Sequence, residues 1–184
     1  DDHVRDHKAH AVMATILLER IATTADESLF PAFQHHVAAG ARWGYIPAEV
    51  LAASAEIHWY GGRRNQAFEL LNVAAERQSE FFLLYYERAL EAELQPLAEA
   101  IRDRAITRLR RQLRQNPQDN IIRSNLAAFE CTLEDGIKRA EELLREGEQL
   151  NPSPVLSRAL SEVYLKQCRQ MSEEDVTSSE ALGL

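Results

Sequence analysis

Apolar residues recur along this chain at offsets of three and four, and short breaks rich in proline, glycine or asparagine separate the recurring stretches. No stretch alternates apolar and polar residues as a half-buried strand would. The first periodic segment spans residues 4–22, with Val4, Ala11, Val12, Ile16 and Leu17 on its expected apolar stripe. Asp26 offers an N-cap and Pro31 suits a first turn, so a second helix is expected to run to about Arg42. Pro47 opens a third that ends at Tyr60, before Gly61-Gly62. "RNQAFELLNVAAERQ" and "EFFLLYYERALEAEL" follow, then a long helix from Pro96 to about Arg114. The last three are "IIRSNLAAFECTL", "IKRAEELLREGEQL" and "VLSRALSEVYLKQCRQ". The pattern predicts an all-α chain of about nine helices, each roughly 12 to 20 residues long. Short connections make neighbours antiparallel hairpins.

The stretch "AEELLREGEQLNPSP" raises the question that separates a bundle from a repeat array. A free amphipathic helix needs an apolar stripe but no small residues at set places. Here Ala140, Leu144, Gly147 and Pro152 stand in fixed order, and Ala67, Leu71 and Ala74 stand in the same order earlier. Ala105 and Leu109, followed by Pro117, form a partial third copy in which Gln112 occupies the later small position. The leading alanines lie 38 and 35 residues apart.

This spacing resembles the tetratricopeptide repeat, a helical hairpin of about 34 residues. "SNLAAFECTLEDGIKRAEELLREGEQLNPSP" is the best match and "VLAASAEIHWYGGRRNQAFELLNVA" the second. Residues 80–117 match in their second helix alone, and residues 1–44 pair helices without the signature. The resemblance implies antiparallel hairpins stacked as a right-handed solenoid. It implies a single helical-repeat domain over 1–171, with 1–44 an atypical helical pair and 47–171 the repeats; the polar, acidic composition of 172–184 is read as a fraying, disordered tail. Ala140 and Gly147 are then expected to let helix backbones approach where they cross, with Leu144 filling between them. Ala140→Leu or Gly147→Phe should overpack that junction by about 1–3 kcal/mol. Ala55, Ala67 and Ala74 are expected to be buried at helix contacts in the same way.

The resemblance also implies a function: a protein–protein interaction scaffold that holds a peptide or partner domain on a concave surface. By matching offsets, that surface takes Glu49, Ala52, Glu56, Trp59 and Tyr60 from the early hairpin. The late hairpin contributes Ile122, Asn125, Phe129 and Thr132. Aromatic side chains there suit an extended or helical peptide. The family's version that grips a terminal carboxylate uses lysine and asparagine at set places, and only Asn125 stands here.

Other clusters have plainer readings. His3, His7 and His10 share one helical face at a spacing that can bind zinc or nickel; a solvated helix end explains them equally, and no metal or other cofactor is assigned. Residues 102–114 hold six arginines in thirteen positions, a candidate nucleic-acid patch. Ile101, Ala105, Ile106, Leu109 and Leu113 gather on the opposite side of that helix. No aromatic interleaves the arginines to stack bases, and the net charge of −8 opposes a general affinity for nucleic acid. Phe81 to Tyr86 is apolar nearly all round, as in an inner helix or a partner-facing one. No glycine-rich phosphate loop or GxSxG nucleophile motif is present, so the chain is read as a non-enzyme. An accessory domain that positions an enzyme's catalytic region is one rival class, and a nucleic-acid binder using the Arg102–Arg114 helix is the other.

No apolar run reaches the roughly 18 residues of a membrane span. Cys131 and Cys168 lie in helical patterns outside any CxxC, which favours two buried thiols and a reducing compartment such as the cytoplasm. The chain begins Asp1-Asp2-His3, which is read as a piece of a longer protein. Self-association through the end of an uncapped stack is compatible with the same reading.

Overall fold

The computed structural model describes the backbone of residues 2–41 and 45–181, and the side-chain surroundings of residues 6–41 and 45–169. Among the described residues the secondary structure consists of nine α-helices and one 3-10 turn, with no strand. The helices are α1 (Asp2–Thr24), α2 (Phe30–Ala41), α3 (Ala48–Tyr60), α4 (Arg64–Arg77), α5 (Phe81–Glu91), α6 (Gln95–Gln115), α7 (Asn120–Glu130), α8 (Gly136–Leu150) and α9 (Pro154–Ala181). The boundaries follow local chemistry. Asp26 caps the 3-10 turn Glu27–Leu29 by accepting from the Ser28 amide. Pro47 stands at the N-cap of α3 and Pro96 in the first turn of α6. Asp119 caps α7, its carboxylate accepting from the Ile121 and Ile122 amides at 3.1 and 3.0 Å. The last helix continues to Ala181, past the expected end near residue 171.

The chain divides into two compact units, residues 1–85 and 86–184, and the division falls within α5. In the first unit α1 packs on α2, α3 packs on α4, and α3 also meets α1 and α2. Ala14, Leu17, Phe33, Val37, Ile46 and Leu51 build its core. Leu17 is buried as expected, but Val12 and Ile16, expected on the same stripe of α1, are exposed, and Ala14 faces inward in their place. An amphipathic helix with apolar residues on several sides can turn any of them inward, and packing against Phe33 and Val37 selects this rotation.

In the second unit α6 packs on α7, α7 on α8, and α9 lies against both α8 and α7. Ala127, Ala140, Leu144, Leu156 and Val163 belong to its core. The small residues expected at helix contacts are where the pattern put them: Ala55, Ala67, Ala74, Ala140 and Leu144 are fully buried. The turn into α8 depends on a glycine. Asp135 adopts a left-handed conformation (φ +56°), and a Cβ on Gly136 would sit 1.7 Å from the Glu130 carbonyl oxygen.

Gly147 corrects the sequence reading. What fills the space beside it is the side chain of Arg123, with Leu156 next to it, rather than a neighbouring helix backbone. The cysteines correct it too, because Cys131 is half-buried and Cys168 exposed.

Candidate functional site

The residues expected to line one partner surface fall in both units: Glu49, Ala52, Glu56, Trp59 and Tyr60 in the first, Ile122, Asn125 and Phe129 in the second. Tyr60 is 78 % exposed and Trp59 is half-buried. Trp59 meets Phe68 edge to face at 5.7 Å between centroids, and Phe68 meets Tyr85 at 6.1 Å, so Trp59 ends an aromatic ladder. The Arg64 guanidinium lies 5.3 Å from the Trp59 ring centre. Glu49 is exposed and accepts from Gln78 at 2.9 Å, while Glu56 is half-buried. Ala52 is buried in the first core. In the second unit Phe129 is fully buried under the Tyr86 ring, whereas Ile122 and Asn125 are half-buried. Ala52 and Phe129 are thus packing residues in this structure.

The second unit holds an open cavity of about 770 Å³ that sequence reading did not find. Leu113 of α6, Pro117 of the following loop, Leu126 of α7 and Leu143 of α8 give it apolar walls. Its charged lining comes from Arg110, Arg114, Arg123 and Arg139, set against Glu130 and Glu146. Two positive charges are therefore in excess here, in a chain whose net charge is −8.

Arg123 is the largest fully buried side chain, 2 % exposed. Its Nη1 donates to the Leu143 carbonyl and to Glu146 Oε2, both at 3.0 Å, and its Nη2 donates to the Pro117 carbonyl at 2.8 Å. The buried Nε has no partner among the described residues. A guanidinium removed from water is costly unless it is hydrogen-bonded and paired. Here the pairing carboxylate, Glu146, is itself mostly exposed. Asn120 and Asn151 fasten the same region, Asn120 donating to the Asn151 carbonyl at 2.8 Å.

Glu130 is the second buried charge. Arg110 Nη2 donates to one of its oxygens at 2.6 Å and Arg139 Nε to the other at 3.1 Å. Two arginines from α6 and α8 thus share one carboxylate from α7, and both remain about half exposed. Arg114 is exposed and unpaired among the described residues. A signal for these groups does exist in the sequence. Arg123, Leu126, Ala127 and Glu130 stand at i, i+3, i+4 and i+7, so two charges occupy the stripe that faces the core.

The arginine-rich helix is therefore not a uniformly solvated face. Ile101, Ala105, Ile106 and Leu109 are buried as expected, and Leu113 lines the cavity. Arg102 pairs with Asp103 and Arg110 with Glu130.

A third cluster joins α1 and α2. His10 and His36 bring their Nδ1 atoms to 2.7 Å, and the His35 ring stands edge-on to both. His10 turns to the α2 histidines, and the expected face of His3, His7 and His10 lies partly outside the described residues, which do not include the side chain of His3. No group of three or more metal-ligating side chains placed to hold an ion occurs among the described residues. No described helix is long and apolar enough to cross a membrane. Compared with protein-family models, curated proteins and solved structures, the chain finds no match.

Proposed function

We propose that this chain is a protein–protein interaction scaffold made of tetratricopeptide-like helical hairpins, stacked within each unit as a solenoid stacks them. The observation that carries the reading is the packing of α9 against both α7 and α8. A hairpin followed by a helix that touches both its members is the contact pattern of successive repeats, in which each hairpin buries its neighbour's face. The buried Ala140 and Leu144, at the offsets that carry the resemblance, support it. Such stacks present helix faces and inter-helix clefts to partners. Tyr60, at the end of α3 and open to solvent, is the kind of side chain that anchors an interface.

The test places a photo-crosslinking amino acid at Tyr60 and, separately, at Arg114, and asks whether discrete adducts form with proteins of the native extract. Adducts from at least one position that an excess of unlabelled chain competes away support a scaffold. Equal, uncompeted labelling at every exposed position, including a control at Arg158, removes it.

A further inference from the structure

We infer that the cavity between α6, α7 and α8 is a docking site for an acidic, leucine-like peptide segment. This deepens the scaffold reading and rests on it. Charge complementarity selects the occupant. Arg110 and Arg139 divide one buried carboxylate, Glu130, between them. A guanidinium carries five N–H donors, so Arg110, and Arg139 beside its further bond to the Glu134 carbonyl at 3.2 Å, keep donors for another acceptor. Arg114 adds a cation with no partner among the described residues, and buried Arg123 raises the positive potential from beneath.

Planar guanidinium forks match carboxylates. Between the charges lie Leu113, Leu126 and Leu143, which suit an aliphatic side chain rather than a fully hydrated anion. A volume of about 770 Å³ admits a few residues. A nucleic acid fits less well. No aromatic lines the cavity to stack a base, and Glu130 and Glu146 would repel a phosphodiester chain. Glu130 serves as the internal counter-ion that holds Arg110 and Arg139 in place.

Fluorescence anisotropy on the full chain tests this with three labelled probes: a peptide alternating leucine with glutamate, the same peptide with glutamine for glutamate, and a single-stranded oligonucleotide of matching charge. The glutamate peptide should bind at least about tenfold more tightly than the glutamine peptide, and added salt should weaken it. Arg114→Glu, at an exposed unpaired position, should weaken it about tenfold with the melting temperature unchanged. Thr107→Trp, which fills the cavity rim without removing a charge, should also block it. Arg158→Glu on α9, outside the cavity, should leave it alone. Equal affinity for the two peptides, tighter binding of the oligonucleotide, or equal losses in Arg114→Glu and Arg158→Glu would each overturn the proposal. Competed crosslinks at Tyr60 that survive Arg114→Glu, with no peptide binding, would leave the scaffold standing and remove this cavity from it.

Discussion

Gly147 makes the room in which Arg123 is buried: a Cβ at position 147 would lie 2.3 Å from Arg123 Cδ and 2.9 Å from its Nε. A glycine whose spacing suggests a helix-crossing device here accommodates a charged side chain. That side chain in turn ties the loop carbonyl of Pro117 to the Leu143 carbonyl of α8. The two residues should therefore be coupled. Gly147→Ala gains helix propensity, about 1 kcal/mol, but forces Arg123 against three fixed acceptors, so a net loss of about 1–2 kcal/mol is expected. Arg123→Ala should cost about 2–4 kcal/mol through the emptied volume, the Pro117 carbonyl left without its donor and the lost second bond to the Leu143 carbonyl. The double variant should cost less than the sum by 0.5 kcal/mol or more, roughly the threshold for coupled neighbours. Denaturant unfolding of all four proteins measures the cycle, and additivity would mean that Arg123 simply swings aside.

Gly136 should tolerate nothing larger. The obstacle to a Cβ is the backbone carbonyl of Glu130, which cannot move without disturbing the end of α7. Gly136→Ala is expected to lose about 2–4 kcal/mol, well above the typical single substitution. Gly62, left-handed at φ +75° with open space around it, should lose only about 1 kcal/mol on the same change. Similar melting temperatures for the two variants would contradict the close approach at Gly136.

Acidification should weaken the α1–α2 pair. Burial, then the neighbouring His10 and His35, hold His36 below the ordinary histidine value, so the folded chain takes up a proton there less readily than the unfolded chain. His58, lowered by burial and then by Arg63, acts in the same direction. For a lowered base the stabilisation is complete above the unfolded value, about 6.5, and declines as pH falls below it. The melting temperature should fall between pH 7 and pH 5, and His36→Gln should flatten part of that fall. An unchanged slope in the variant would show that the His10–His36 contact carries none of it.

The two thiols should react at different rates. Cys168 is exposed, whereas Cys131 is half-buried and burial pushes its thiol upward, leaving less thiolate at neutral pH. Timed alkylation followed by mass spectrometry should modify Cys168 first in the native protein and both equally after denaturation. Faster labelling of Cys131 would mean that α7 and its following turn open readily.

Trp59 and Tyr60 should part company. Tyr60→Ala removes a ring that is 78 % exposed and should change stability by no more than about 0.5 kcal/mol. Trp59→Ala breaks the ladder to Phe68 and should cost about 1–3 kcal/mol. If Tyr60→Ala, and not Trp59→Ala, loses the competed adducts formed from the crosslinker at Arg114, α3 contributes to the partner surface. A large drop in melting temperature for Tyr60→Ala would instead make it a folding residue.

The all-helical character, the positions of the breaks and the burial of Ala55, Ala67, Ala74, Ala140 and Leu144 were legible in the sequence. Each depends on residues within one or two turns of each other: apolar spacing, Asp26 as a cap, proline at helix starts, small residues in fixed register. Such signals survive without knowledge of the neighbours. The rotation of α1 was not legible, because Val12, Ile16 and Leu17 are equally apolar and only contact with α2 chooses among them. Nor was the charged cavity. Its walls come from residues 107 to 146 on three helices, and whether a charge is buried depends on what lies across from it. Arg123 and Glu130 look like two more charges on a charged chain until α6 and α8 close around α7 and remove their water.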